Sequence, residues 1–398
     1  MLARKSVKQR LAPPTSIKHV MESFRVMCND VIRIGMAADV SSMKRLSKIA
    51  YGELKRYDVP SYYKVCAISK AAGILSARKK SIRRGFPTKN PCLSRSMLVS
   101  CYGFKVENGL LRIPIGEHRF ERIALNPHTL ATISQPGVEV RSFTLTEHSL
   151  SLCIAKEVEE IEADSAVGID RKLRNVTVGN SERVTYYDVS KAVEIAEATR
   201  GIISSFKRND ARIRKQLAAK YGQRRQERVR QILNHVSKSV VMKAKANKQA
   251  IALEDISGIR ELYRAGNGQG RRFRGRMNSW PFHELKRQIG YKAAWQGVPV
   301  ITLTKGETKG TTMDCPRCGE RLQSAVREDS THYRQLWCNV CKRLDDRDLI
   351  AVINISRKAW LRFGHAEGGS GEAMAGNPTG TVILRVDASK LCHADKMQ

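Results

Sequence analysis

Cys315-Pro-Arg-Cys318 and Cys338-Asn-Val-Cys341 each present two thiols from a short turn. Two such turns suit a closed, tetrahedral four-thiolate zinc shell, and residues 319–337 are long enough for a hairpin between them. A thioredoxin-like redox site needs a single pair opening a helix, so the doubled pair predicts a structural zinc ribbon at about 312–344. His332 is available to replace one cysteine, although a polar surface role suits it better. A four-thiolate shell has no open position and does no chemistry; it holds structure. Asp345, Asp346 and Asp348 follow at once, and then an apolar run that predicts a helix near 347–361.

Catalysis therefore needs other groups. Asp170 ends the apolar run "AVGID", Glu254 ends "AIALE", and Asp348 opens the last helix. Each acid sits at the edge of a buried element, where a sheet would expose it at one rim. Three carboxylates brought together from separate elements suit the holding of divalent cations against phosphate. Mg²⁺ is hard, prefers oxygen and needs only a few carboxylates. Two such ions about 4 Å apart can activate a water and stabilise a leaving oxygen. Each acid also has a purely structural reading: Asp170 capping a turn, Glu254 paired with an arginine, Asp348 N-capping its helix.

The elements that must position these groups follow from periodicity. Residues 1–95 read mostly as helix, with apolar residues at helical spacing in "ESFRVMCNDVIRIGMAADVSSMKRLSKIAYGELKRY". From 96 to 162 the pattern shortens to "MLVSCYGFKV", "LLRIPIG", "VEVRSFTLTE" and "LSLCIAKEVE", an antiparallel β module expected to form a small barrel. Residues 163–365 alternate helix and strand, an α/β domain. Within it, "AVGIDRKLRNVTVGN" is a strand, a turn and a strand, residues 190–249 are helical, and 264–278 read as a Gly/Arg-rich loop. Residues 366–398 read as a poorly ordered tail.

Charge narrows the partner. The chain carries 71 Lys plus Arg against 38 Asp plus Glu, a net +33, with 41% hydrophobic residues to fill its cores. Self-repulsion of this size is relieved by a polyanion, and nucleic acid is the expected one. A membrane surface fits less well because the basic residues run through the chain instead of along one amphipathic face. "MLARKSVKQRLAPP" has charge but no apolar core, so no secretory signal is expected, and the scattered cysteines suit a reducing cytoplasm. Arg224, Arg225 and Arg228 on the long helical stretch, and Arg271, Arg272 and Arg274 in the Gly/Arg-rich segment, are the expected phosphate contacts. Tyr62, Tyr63, Phe86, Tyr102 and Phe104 stand near basic residues, available for base stacking or for core packing.

The ordered motifs resemble the TnpB family, transposon-encoded RNA-guided DNA endonucleases related to compact type V CRISPR effectors. "VGIDRKLRNVTV" resembles the first RuvC-like segment, "IALEDISGI" the second and "DDRDLIAVINI" the third, and residues 279–319 resemble the stretch leading into the family's zinc ribbon. The resemblance covers about 165–361. It implies a RuvC-like (RNase H-like) nuclease domain with an inserted ribbon, preceded by a helical recognition lobe and a wedge-like β-barrel. It implies Asp170, Glu254 and Asp348 as catalytic Mg²⁺ ligands, Cys315, Cys318, Cys338 and Cys341 as zinc ligands, and a guide RNA and target double-stranded DNA as partners. The basic helices would line a channel for the guide–target heteroduplex, which is read by shape and charge. The chain departs from the family pattern at two places: Lys172 stands where a glycine is usual, and Ile350 where an asparagine is usual. Two alternatives stay open: a nuclease-weak RNA-guided DNA-binding repressor, and a transposase accessory protein.

Overall fold

In "LARKSVKQR", Ala3, Val7 and Gln9 turn inward while Leu2, Arg4, Ser6, Lys8 and Arg10 face solvent, the two-residue period of a strand. A computed structural model of the protein describes residues 1–116, 118–206, 211–263, 266, 268–324, 334–366 and 381–391. They fall into two units, Leu2–Glu157 and, with Met1, Val158–Gln398.

In the first unit, β1 (Leu2–Arg10) pairs antiparallel with β7 (Ser149–Glu157) along its whole length. This corrects the helical expectation for the N-terminus. The segment's few inward residues are small or polar, and its partner lies at the far end of the unit, so nothing local announces the strand. Between them come α1 (Thr15–Ala37), α2 (Met43–Ala50), α3 (Ser61–Arg83), β2 (Met97–Ser100), β3 (Lys105–Glu107), β4 (Leu110–Gly116), β5 (Arg119–Ala124), α4 (Pro127–Ile133) and β6 (Glu139–Thr146). The strands form two antiparallel sheets, β1-β7-β6-β2 and β3-β4-β5. Helix α1 buries Ile17, Val20, Phe24, Met27 and Val31, spaced three and four apart, the stripe of an amphipathic helix.

The second unit is built on a six-stranded sheet. β8 (Ser165–Arg171), β9 (Asn175–Gly179) and β10 (Arg183–Asp188) form an antiparallel meander. Helices α5 (Ser190–Ser205) and α6 (Ala211–Ala246) lead to β11 (Gln249–Glu254), which lies parallel to β8. After α7 (Arg271–Ser279) and α8 (Phe282–Gln296), β12 (Val300–Leu303) adds parallel to β11. A three-stranded antiparallel ribbon follows: β13 (Gln323–Ser324), β14 (Gln335–Cys338) and β15 (Arg343–Asp346). The last helix, α9 (Arg347–Ala366), starts directly from β15, and β16 (Val382–Asp387) closes the sheet parallel to β10. The full order is β12-β11-β8-β9-β10-β16.

Strand alternation sorts the two faces of this sheet. Val167, Ile169, Val176, Val178, Ile251 and Leu253 enter one core with α5, α6 and α8. Ala252 and Leu303 pack instead with Ile355 and Ala359 of α9. Gly168 lets α9 come this close, because a Cβ there would lie 2.2 Å from the Val352 carbonyl oxygen. The Ser356 hydroxyl completes the seam by donating to the Ala166 carbonyl at 2.7 Å.

Two further expectations change. Residues Arg271–Ser279, read as loop, are helical, because Met277 and Trp280 bury into the α5–α6–α8 core and anchor a turn that composition alone disfavours. The tail expected to be disordered carries β16 at Val382–Asp387, held by main-chain pairing to β10 although Val382, Ile383 and Leu384 stay exposed. Residues 367–380 and 392–398 lie outside the described residues.

Candidate active site and metal centre

Period-two alternation puts Ala166, Gly168 and Asp170 on the α9 face of β8, and Ala252 and Glu254 on the same face of β11. The parallel register sets Leu253 beside Ile169, so Glu254 neighbours Asp170 at the strand ends. From the other side, α9 presents Asp348, which is wholly buried. Asp348 does not cap its own helix. Asp346 does, its carboxylate accepting from the Asp348 backbone N–H at 2.7 Å. That leaves the Asp348 side chain free to point at the sheet.

Asp170 is nearly buried, and burial pushes its carboxyl up to about 6 against the pull of Arg171, Arg347 and Arg334. Burial also raises Glu254, and the Asp170 charge adds to that rise, so the two carboxyls feel each other. Thr311 donates to Glu254 Oε1 at 3.2 Å. Arg171, turned to the opposite face, donates to the Glu254 and Phe282 carbonyls and ties β8 to β11 and α8.

Around Asp348 the polar neighbours are dense. Asn175 Nδ2 donates to Oδ2 at 2.8 Å, and the Arg334 guanidinium, entering from the ribbon, donates to the same oxygen. The Lys172 ammonium stands 3.3 Å from Asp170 Oδ2 and touches Asp348 Oδ1 directly. Neither of those two buried oxygens receives a well-aligned hydrogen bond. The sequence reading missed Asn175 and Arg334. Asn175 lies on the α9 face of β9, a position alternation could have flagged, whereas Arg334 is near Asp348 only because the ribbon folds back. Ile350, where the family pattern has asparagine, is buried among Cys315, Leu322, Leu336 and Cys338 as the apolar joint between α9 and the ribbon.

The ribbon gathers all four expected thiols. Cys315, Cys318, Cys338 and Cys341 bring their sulfurs within 4.8 Å of one another. The 315–341 and 318–338 pairs are 3.9 and 3.5 Å apart, against about 3.8 Å for the edge of a tetrahedron with 2.3 Å metal–sulfur bonds. The Cys341 backbone N–H, aimed at the Cys338 sulfur, holds that thiol down at about 7. This is the chemistry of a structural metal centre. Among the described residues no three carboxylates close to the same spacing. His332 lies outside the described residues.

The arginines expected to contact phosphate lie on α6 and α7. Arg224 and Arg228 are exposed on α6, and Arg225 lines a cavity of about 280 Å³ with Arg200, Arg230 and Arg276. Arg271 and Arg272 are exposed on α7, while Arg274 donates to the Gln269 carbonyl. Of the aromatics, Tyr63 is core, its hydroxyl donating to the Pro114 carbonyl; Phe104 packs edge-on to Phe143; Phe86 and Tyr102 are exposed.

Residues 282–355, from α8 through the ribbon into α9, match the family described as Cas12f1-like, TNB domain. A TnpB-like protein of Methanocaldococcus jannaschii is 30% identical over 224 residues, covering 54% of this chain and 76% of that protein. The chain belongs to the TnpB-like family. Its fold also resembles that of Cas12f1 in a cryo-EM complex with sgRNA and target DNA, at TM-score 0.56 and 13% identity, over 86% of this chain and 83% of that one. In this family member no described helix is long and apolar enough to cross a membrane.

Proposed function

We propose that this TnpB-family protein is an RNA-guided, Mg²⁺-dependent DNA endonuclease acting in the cytoplasm. The six-stranded sheet with its ribbon would be the RuvC-like nuclease domain, and the N-terminal helices and sheets the recognition and wedge modules. The observation that supports the reading is the meeting of Asp170 and Glu254 at the ends of β8 and β11 with buried Asp348 of α9, where one oxygen of each aspartate is buried and has only the Lys172 ammonium against it. Hard, anionic, dehydrated oxygens of this kind fit divalent cations. Bound there, Mg²⁺ would supply Lewis acidity for phosphodiester hydrolysis. The protein's own part is positional: Asp346 caps α9, Asn175 and Arg334 fix the Asp348 carboxylate, and Thr311 orients Glu254. The four cysteines would hold Zn²⁺, pinning β15 and with it the start of α9.

The net +33 supports a guide RNA and target duplex as partners, with Arg224, Arg225, Arg228, Arg271, Arg272 and Arg274 on phosphates. The likeness to a Cas12f1 bound to guide and target favours the same pairing. The test is to purify the protein with its co-purifying RNA, sequence that RNA, and supply matched DNA with Mg²⁺. Strand scission is expected, and scission that persists in Asp170→Ala overturns the assignment. A second reading, an RNA-guided binder that does not cut, is favoured by one observation: Lys172 sits on the two acids. Binding of matched DNA without scission at millimolar Mg²⁺ would select it.

A further inference from the structure

Lys172 continues the α9-facing alternation of β8 one step past Asp170, so its side chain enters the acid site. Its backbone is fixed there, because Lys172 N–H donates to the Asn175 carbonyl at 2.9 Å. The ammonium then bridges Asp170 Oδ2 and Asp348 Oδ1, the two buried oxygens that no other group reaches with a well-aligned hydrogen bond. We propose that Lys172 is a tethered counter-ion that stands in for a divalent cation between Asp170 and Asp348, and that a metal ion must displace it. The proposal rests on the reading of these acids as a divalent site.

Three physical points support it. Asp348 has no exposure and its two oxygens face different cations, Arg334 on Oδ2 and Lys172 on Oδ1, so the charge opposite Oδ1 is the lysine's to supply, at no diffusional cost. A cation on a short tether competes at an effective concentration in the millimolar range, comparable to the Mg²⁺ it opposes. The Lys172 side chain is about one-third exposed, so its flexible four-carbon stem has an open route outward when an ion takes its place. The expected result is a nuclease site with an unusually high metal requirement, set by a residue that acts through the two aspartates.

The test uses the full chain, zinc-loaded and freed of other divalent ions, with Mn²⁺ titration followed by electron paramagnetic resonance. Lys172→Met should bind Mn²⁺ at least about tenfold more tightly than wild type, a difference of about 1.4 kcal/mol. Without added divalent ion it should melt below wild type, and millimolar Mg²⁺ should close that gap. Lys172→Arg should keep wild-type behaviour, and Lys172→Gln, which keeps a donor without the charge, should bind Mn²⁺ as tightly as Lys172→Met and takes its place if that variant folds poorly. Equal Mn²⁺ affinity in wild type and the uncharged variants overturns the proposal. Adding Asp348→Asn separates the two levels. Mn²⁺ binding that survives it means that the ions sit elsewhere, and the acid-site reading itself fails.

Discussion

Alanine at position 168 inserts a methyl into the seam between β8 and α9. The new Cβ would lie 2.2 Å from the Val352 carbonyl oxygen, 2.9 Å from the Ser356 nitrogen and 3.0 Å from Ile355 Cβ. Carbon and carbonyl oxygen settle at about 3.3–3.6 Å, so the helix must retreat by about 1 Å. The obstructing atoms are mostly backbone and cannot rotate away. Overpacking of this kind costs about 1–3 kcal/mol, which for a unit of this size lowers Tm by about 2–12 °C. The larger consequence is geometric. Retreat of α9 carries Asp348 away from Asp170 and Glu254, and a 1 Å misplacement of catalytic groups can cost about 10²-fold in rate. Gly168→Ala should therefore lose cleavage far beyond its loss of stability, while still binding guide RNA and matched DNA. Calorimetric melting, a filter-binding assay and single-turnover cleavage read the three quantities separately. Gly201→Ala at an exposed position of α5, with no atom of another segment within 4 Å of the added methyl, is the control and should raise stability by about 0.5–1 kcal/mol. Unchanged melting and unchanged cleavage in Gly168→Ala would refute the claim that this seam sets the acid geometry.

Three further outcomes are expected. Cys318→Ser should drop bound zinc from about one ion per chain to background by mass spectrometry, and cleavage should fall with it because Arg334 of the ribbon holds Asp348; full cleavage by zinc-free protein would break that link. Lys292, donating to the Asn234 carbonyl and the Ser237 hydroxyl, is lowered to about 8 by burial and then by Lys238 and Arg287, against about 10.4 in an unfolded chain. Between those values the unfolded chain binds the extra proton, so this residue's contribution to stability grows as pH rises through the window and is lost as pH falls through 8. Urea denaturation should show that slope in wild type and not in Lys292→Met; equal slopes in both would remove the assignment. Replacing Arg224, Arg225 and Arg228 by alanine should flatten the salt dependence of nucleic-acid binding by about one unit of slope for each phosphate left without its arginine, with folding stability unchanged within about 0.5 kcal/mol. A salt slope equal to wild type would exclude these arginines from the nucleic-acid backbone.

What could be read from the sequence was whatever short-range spacing encodes. The thiol pairs are legible because each metal-gripping turn is four residues long, and the acids at 170 and 254 because each ends an apolar run that a buried strand requires. β1 and β16 were illegible for a common reason: both owe their place to main-chain pairing with β7 and β10, and neither carries a strong apolar alternation of its own. Helix α7 was masked by its Gly/Arg composition, against which only Met277 and Trp280 signal burial.

The acid site divides along the same line. Alternation along β8 already places Lys172 on the face of Asp170, yet nothing in one dimension says that Asp348 arrives opposite both. The asparagine that the family pattern expects after Asp348 is an isoleucine, which reads as a missing amide; in space Ile350 seals the ribbon against α9, and Asp348 receives an amide hydrogen bond from Asn175. An amide donor to Asp348 thus comes from a strand 173 residues away in the chain, beyond the reach of local spacing. Lys172 is the same case with a charge: a residue that one-dimensional spacing puts beside Asp170 meets Asp348 only in space, and the metal titration of its uncharged variants decides what that cation is worth.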